Sequence, residues 1–507
     1  MKFPFRGVIV RLDSDAAPPW WRDRPETDGN PMKILLVKPH LPLKVAKRLH
    51  GLLHLEPLEL EIVAGGISSD REVRILDLSL ERRPERAFLR ELRGFAPDVL
   101  GFTAYSNQEK AVLSLAESAK RLFPGIAVII GGVHATIATE RFERSNVIDA
   151  VLRGEGGTVI ESVLEYLEEH GIFPDDDRVL RTDATDFAER AKAPPPPFPE
   201  PDDVPRPRRG LVDANAYFCV WAGEPGERMA TIFPPVATTR TSVGCPNKCS
   251  FCVTRLLTRG KYKRRSPADV ADEIAALEQD HVYFVDDEMF IDAKRAAAIA
   301  ELLISRGVSK RYVSWARSDT IVENRDVFAL WKEAGLSTVY VGLEAMDDET
   351  LEGYSKGCSA DVNRRAIDIL SELGICLHAA FMVDPMFEEE DFIHLREAVE
   401  SIGTAEVTFT VFSPPPGTSI WEERKSEFIV DEPHLFYDCM HTILPTRLPL
   451  NRFYRYFSLL SLFALRNNPW RRRKVKAPMR DFLRLFMAGA KYGWAQRNIY
   501  KDYPGKR

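Results

Sequence analysis

Cysteine is scarce in this chain, with seven residues in 507 and none before Cys219. So few thiols exclude a disulfide-built secreted scaffold and suit a reducing compartment. Long apolar runs are missing too: the longest, such as Phe457 to Leu465, fall well short of the roughly 20 residues that span a bilayer. The N-terminus lacks the charged and then apolar pattern of a secretory signal. The expected location is cytoplasmic, and any membrane contact peripheral. Core-forming residues are plentiful at 45% apolar, enough for about three domains at this length. The net charge of −6 is unevenly spread, because residues 451–507 carry 15 Lys or Arg against 2 Asp. A basic tail on an acidic body suits an anionic surface, although solvated charge is the ordinary reading of such a run.

Three of the seven cysteines crowd into Thr241-Ser-Val-Gly-Cys245-Pro-Asn-Lys-Cys249-Ser-Phe-Cys252. Thiolates spaced Cys-x3-Cys-x2-Cys on a tight loop after a strand can hold three irons of a [4Fe–4S] cluster and leave the fourth iron for a small molecule. Structural zinc asks for four protein ligands, and Cys219, Cys358, Cys376 and Cys439 offer no second knuckle.

Residues 1–31 lack periodicity and read as an appendage or an upstream start. From Met32, apolar runs at Ile34–Val37, Val73–Leu76, Val99–Phe102 and Ala127–Ile130 alternate with helical segments, which predicts a doubly wound parallel sheet over 32–170. Ligands of such sheets bind beyond the carboxyl ends of the strands. The loops there carry Thr103, Ser106, Gly131, Gly132 and His134; His134 is either a ligand-loop residue or a hydrogen-bonded structural histidine. Residues 171–235, with Pro194-Pro-Pro-Pro-Pro-Phe-Pro and Pro205-Arg-Pro-Arg-Arg, read as a stiff, poorly core-forming linker.

Over 236–430 the alternation restarts, with strands predicted at Val236–Ser242, Val282–Val285, Tyr312–Ala316, Thr338–Leu343, Leu377–Val383 and Val407–Phe412. Six strand-helix units predict an incomplete barrel with its chemistry at the carboxyl strand ends. Asp286, Asp287 and Glu288 follow the second strand, where each either accepts hydrogen bonds from an ammonium group or caps the next helix. Arg317 follows the third strand, Glu344 ends the fourth, and Arg317 either contacts a ligand or neutralises the acids beside it. Residues 431–507 read as a basic, mainly helical region. Its run from Met479 places Met479, Phe482, Leu483 and Phe486 on one face and Arg480, Arg484 and Lys491 on another. That face fits a lipid surface, the barrel wall or RNA.

The cysteine spacing, with Phe251 before the third cysteine, resembles the radical S-adenosylmethionine (SAM) superfamily. The resemblance implies a [4Fe–4S] cluster held by Cys245, Cys249 and Cys252, with SAM chelated to the open iron. It puts Phe251 near the adenine, the acids after the second strand near the SAM ammonium, and Arg317 and Glu344 near its ribose or carboxylate. The upstream domain, with Pro57-Leu-Glu-Leu-Glu-Ile-Val-Ala-Gly65 and Gly131-Gly132, resembles the cobalamin-binding domains found before many radical SAM domains. Its departure is Pro39-His40-Leu-Pro-Leu-Lys in place of Asp-x-His-x-x-Gly, which implies cobalamin held without a lower-axial histidine.

Together the two halves resemble the cobalamin-dependent radical SAM methyltransferases. That resemblance implies hydrogen abstraction from an unactivated carbon by a SAM-derived radical, followed by methyl transfer from methylcobalamin. An electron donor such as flavodoxin or ferredoxin is implied as a partner. Phe381-Met-Val-Asp-Pro-Met-Phe-Glu, the stretch from Phe409 to Thr418 with Pro414-Pro-Pro-Gly, and Leu444-Pro-Thr-Arg-Leu-Pro-Leu-Asn-Arg-Phe-Tyr454 are similar to the hopanoid C-3 methylase family, which implies a polycyclic isoprenoid lipid as substrate. The alternatives are another substrate, such as a tetrapyrrole or natural product, or a non-methylating oxidation or rearrangement. A tRNA methylthiotransferase would add N-terminal cluster cysteines and an RNA-binding barrel, so no nucleic-acid partner is expected. A cobalamin sensor would not need the three cysteines.

Overall fold

Alternate residues of the first apolar runs face opposite ways, and both sets are buried. In β1 (Lys33–Lys38), Leu35 and Val37 join one core cluster while Ile34 and Leu36 join another. A strand apolar on both faces needs cover on both, which is the demand of a doubly wound sheet. Helices Pro84–Phe95 and Glu109–Leu122 cover one face with Phe88, Leu92, Phe95, Val112 and Leu115. Leu58–Gly65 and Ile160–His170 cover the other with Leu60, Ala64, Val163, Leu164 and Leu167. The strands are β1, β2 (Glu72–Asp77), β3 (Val99–Thr103), β4 (Ala127–Gly131), β5 (Ala150–Leu152) and β6 (Val179–Arg181), in the order β2-β1-β3-β4-β5-β6. All pair in parallel except β6, which runs antiparallel to β5 at the edge.

The computed structural model describes residues 31–403, 406–466 and 473–504. The extension at 1–30, with Trp20 and Trp21, lies outside the described residues. The described residues form two compact units: one comprises 31–40, Pro57–Pro199 and Asp203–Val212, the other Leu41–Glu56, Glu200–Asp202 and the described residues from Asp213 onward.

The second unit holds a six-stranded, all-parallel sheet whose strands follow chain order: β7 (Val236–Thr239), β8 (His281–Phe284), β9 (Arg311–Ala316), β10 (Leu336–Glu344), β11 (Cys376–Val383) and β12 (Glu406–Val411). This is the expected partial (β/α)6 barrel, with β7 and β12 as its edges. Outer helices seat Val270, Ile274, Ile299, Leu303, Phe328 and Trp331 against its convex side. Residues 450–497 add two helices, Leu450–Arg466 and Met479–Arg497.

The expected linker at 171–235 is corrected. Its first part supplies β6, and its last part is core: Tyr217, Trp221 and Ile232 are almost fully buried. With Phe218, Cys219 and Phe233, Trp221 and Ile232 pack on the inward-facing Tyr283, Val313, Trp315 and Tyr340, while Tyr217 meets the His54 ring edge-on at 5.6 Å. Trp221 meets the ring of His281, the first residue of β8, edge-on at 4.6 Å, so this plug reaches the amino ends of the strands. Proline content had suggested stiffness, but the apolar Phe218-Cys-Val-Trp-Ala222 between the proline runs decides the packing.

Candidate active site

The carboxyl ends of the barrel strands converge on the cysteine loop. After β7 the chain turns, and Thr241 and Ser242 bury their hydroxyls. Asp286, two residues beyond β8, accepts hydrogen bonds from the Thr241 N–H at 2.9 Å, the Thr241 hydroxyl at 2.7 Å and the Ser242 hydroxyl at 2.5 Å. Asp287 accepts from the Gly244 N–H at 2.7 Å and the Thr254 hydroxyl at 2.8 Å. Arg295 donates to the Thr241 carbonyl at 2.6 Å. The loop is thus tied at both ends to the strand beside it. Gly244 is obligatory here: its φ is +90°, and a Cβ would stand 2.0 Å from the Lys261 carbonyl oxygen.

A second clamp comes from residues 354–356. Ser250 donates its N–H and its hydroxyl to the Tyr354 carbonyl, each at 3.1 Å. Phe251 meets the Tyr354 ring edge-on at 6.0 Å, and Lys356 Nζ lies 5.7 Å over the Phe251 ring. Glu344 ends β10 in the left-handed region at φ +62°, a conformation that costs a glutamate about 1 kcal/mol or more. Its carboxylate receives Lys356 Nζ at 3.0 Å, with both side chains largely buried.

Arg317 faces the loop from the end of β9. Asp319 holds its guanidinium through Nε at 2.9 Å and Nη2 at 2.8 Å, and the Lys356 carbonyl accepts from Nη2 at 2.7 Å. The remaining Nη1 points at Cys249 Sγ, 3.6 Å away. Cys245 Sγ accepts from Asn247 Nδ2 at 3.2 Å. All three loop cysteines are free thiols of intermediate exposure, neither paired nor lost in a core.

This donor set fits a cubane cluster. Three thiols share one anchored loop, with a fixed cation beside one sulfur to offset negative charge. Among the described residues, no three Cys, His, Asp or Glu side chains stand grouped as ligands of one metal ion. A cubane does not ask for that, since its three protein-held irons are separate corners.

Two expectations for the acids are corrected. Asp286 and Glu288 are buried and committed to their own loops: Asp286 to the N–H and hydroxyls of the Thr241–Ser242 turn, and Glu288 to the N–H groups of Phe290 and Arg317 at 3.1 and 2.6 Å. Burial raises the Glu288 pKa to about 8, against the pull of those two donors. These side chains shape the loops, and Asp287, which already accepts two hydrogen bonds, is the one acid of the three at the surface. None caps the following helix either, because Asp292 does so by accepting from the Arg295 N–H at 3.0 Å.

In the first unit, the strand-end loops divide differently from expectation. His134 is fully buried, with its Nε2 2.7 Å from Glu109 Oε2, and Arg141 pairs with the same carboxylate at 2.6 Å. Of the two roles open to it, these are the contacts of a hydrogen-bonded structural histidine, and the ligand-loop role does not fit a ring buried this deeply. Ser106 is likewise buried, beginning a short 3-10 turn, while the neighbouring Tyr105 stands exposed. Gly132 has φ +88°, and a Cβ there would stand 2.7 Å from Thr103 Oγ1, so the fold itself requires this glycine. Gly131 is extended, and its Cβ would meet only an ordinary contact at 3.6 Å. Thr103 and Gly131, paired in the ladder at the ends of β3 and β4, remain the open pair.

Residues 239–399 match the radical SAM superfamily and residues 50–164 match the B12 binding domain. The hopanoid C-3 methylase of Methylococcus capsulatus is 31% identical over 428 residues, which are 83% of this chain and 78% of that protein. The chain belongs to the cobalamin-dependent radical SAM methyltransferases. This methyltransferase is also 23% identical to the anaerobic magnesium-protoporphyrin IX monomethyl ester cyclase of Synechocystis sp., over 85% of each chain. Among solved structures it matches the radical SAM methyltransferase TsrM of Kitasatospora setae, with cobalamin and a [4Fe–4S] cluster bound, at a TM-score of 0.58. That match has 16% identity and covers 88% of this chain and 91% of that one. The methyltransferase's cofactors are therefore a [4Fe–4S] cluster, SAM and cobalamin.

Tyr354 and Lys356, the residues that clamp the cysteine loop, are not among the residues that sequence reasoning singles out. They lie about a hundred positions downstream in a helix-to-loop stretch without a motif. The only signal was their place just beyond a barrel strand, where functional side chains gather.

Proposed function

We propose that this enzyme methylates an unactivated carbon of a polycyclic isoprenoid lipid of the hopanoid type. The observation that carries the reading is the 31% identity with a hopanoid C-3 methylase across 83% of the chain. When bound, the cluster, SAM and cobalamin supply the radical and the methyl group, so the protein's work is placement and exclusion. Cys245, Cys249 and Cys252 would hold the cluster, on a loop kept in shape by Asp286, Asp287 and Arg295. Phe251, held edge-on to the Tyr354 ring with Lys356 over it, would offer an apolar face to the adenine. The Glu344–Lys356 pair would present one charge of each sign to the zwitterionic end of SAM. Thr103 and Gly131 would border the corrin.

The electron donor is expected to be an acidic carrier protein such as a flavodoxin or ferredoxin. Residues 246–268, around the last two cysteines, carry seven Lys or Arg and no acid. We place the enzyme in the cytoplasm at the inner face of the membrane, where a lipid substrate resides; no helix among the described residues is long and apolar enough to cross a membrane.

A second reading has its own observation: the cyclase relative carries a name for work on a tetrapyrrole ester. Comparing lipid and tetrapyrrole extracts of cells with and without this protein separates the two. A methylated hopanoid lost on deletion supports the first, and an unchanged lipid fraction refutes it.

A further inference from the structure

Twelve large apolar side chains stand exposed among the described residues, and seven of them lie on the two C-terminal helices. Met479, Phe486 and Trp494 are 80%, 73% and 66% exposed, and Leu483 and Met487 continue the same stripe. The spacing 479, 483, 486/487, 494 keeps to one face of the helix. On the opposite face, Asp481, Leu485, Tyr492, Ala495 and Gln496 are buried against the rest of the unit, with Asp481 accepting the Ile232 N–H at 3.1 Å. The helix is thus apolar on two sides, and only one is used by the fold. The partner helix extends the patch: a Cβ on Gly493 would lie 3.2 Å from Leu462, which is exposed together with Leu459.

Not every residue of the amphipathic pattern belongs to this surface. Phe482 is half-buried in the core around Trp221. Arg484 lies over the rings of Phe218 and Phe233 at 4.4 and 3.9 Å. Arg480, Lys491 and Arg497 are exposed beside the apolar stripe, and the only acids from residue 451 onward are Asp481, which is buried, and Asp502.

We propose that this face, formed by Leu459, Leu462, Met479, Leu483, Phe486 and Trp494 with its rim of Arg480, Lys491 and Arg497, docks on an anionic lipid surface. The inference rests on the proposed lipid substrate only for its purpose; the face stands on its own geometry. Apolar side chains enter the headgroup boundary while the cations meet lipid phosphates, as in interfacial helices. A second copy of the chain is the poorer occupant, because a two-fold interface would set this basic rim against itself.

The test is co-sedimentation of the reconstituted protein with vesicles of phosphatidylglycerol and phosphatidylcholine, beside vesicles of phosphatidylcholine alone. Binding to the anionic vesicles is expected, weakening steeply with salt. The surface variants Leu483→Ser with Phe486→Ser, and separately Arg480→Glu with Lys491→Glu, are expected to lose at least tenfold in partitioning while cluster content is unchanged. Wild-type protein that stays in solution at low salt, or whose binding both variants retain, overturns the proposal. A concentration-dependent dimer abolished by Leu483→Ser with Phe486→Ser would overturn it in favour of the second copy. Vesicle binding in a protein whose deletion leaves the lipids unchanged would sink the substrate reading alone.

Discussion

The guanidinium of Arg317 stands 3.6 Å from the sulfur of Cys249, fixed there by Asp319 and the Lys356 carbonyl. A permanent cation so close favours the thiolate and, once a cluster is bound, favours its more reduced state.

Arg317→Ala should therefore lower the midpoint potential of the cluster. A unit charge fixed beside a cluster ligand is worth about 2 kcal/mol at an effective dielectric of 20, on the order of 50–100 mV. Arg317→Lys should recover part of the shift. Spectroelectrochemical titration checks this, and equal potentials in all three proteins would show that the charge is irrelevant.

Asp286→Asn should release the Thr241–Ser242 turn. Loss of its hydrogen bonds is expected to destabilise the unit by about 1–3 kcal/mol and to cut iron and sulfide loading, with SAM affinity per cluster unchanged. Iron analysis and SAM titration of the loaded fraction separate this from a direct ligand role. Full loading with weakened SAM binding would mean that Asp286 touches SAM after all.

Gly131 and Gly132 should part company. Gly132→Ala is expected to cost about 1 kcal/mol or more whether or not cobalamin is present, because of its φ of +88° and the nearby Thr103 hydroxyl. Gly131→Leu should keep the melting temperature of the apo protein and lose corrin retention. Equal corrin binding in Gly131→Leu and wild type would move the cobalamin site away from β4.

The Glu109 pocket gives a pH signature. Burial works to raise the Glu109 pKa, but hydrogen bonds from His134 and Arg141 more than offset it and hold it at about 2, well below the ordinary glutamate value of 4.5. A depressed carboxylate stabilises the fold above its unfolded pKa, and that contribution disappears as pH falls from about 4.5 through 2. Glu109→Gln should therefore lose about 2–3 kcal/mol at neutral pH and show a flatter decline in acid. Urea titrations between pH 3 and 7 measure it, and parallel curves for both proteins would refute it.

Much of this architecture was legible because its signals are local. All six strands of the second sheet and four of the first follow from apolar runs of strand length, and those from Val99 and Ala127 begin at the residues their sequence implies, whereas the three-residue strands Ala150–Leu152 and Val179–Arg181 are too short to show a pattern. The cysteine loop needs only its own spacing. What escaped depends on contacts far apart in sequence. Lys356 reaches Glu344 and Phe251, Trp221 reaches His281, and Glu109 is what turns His134 inward; no periodicity carries such pairings. The acids after β8 stand at the strand end where their order in the chain puts them, but a strand-end carboxylate can face a ligand or its own loops with the same sequence, and only the contacts show that Asp286 and Glu288 are tied to their loops. The helix from Met479 carries a legible amphipathic pattern, yet only packing reveals that Phe482 is half-buried and Arg484 lies over the Phe218 and Phe233 rings while Trp494 faces out.

The most direct measurement incubates the reconstituted enzyme with a reductant, cobalamin, a hopanoid in vesicles and SAM carrying a trideuterated methyl group. Mass spectrometry should find the intact trideuteromethyl group on a ring carbon of the hopanoid, with 5′-deoxyadenosine formed alongside. Release of 5′-deoxyadenosine while the hopanoid stays unlabelled, or label appearing only in a tetrapyrrole supplied in parallel, would contradict the account.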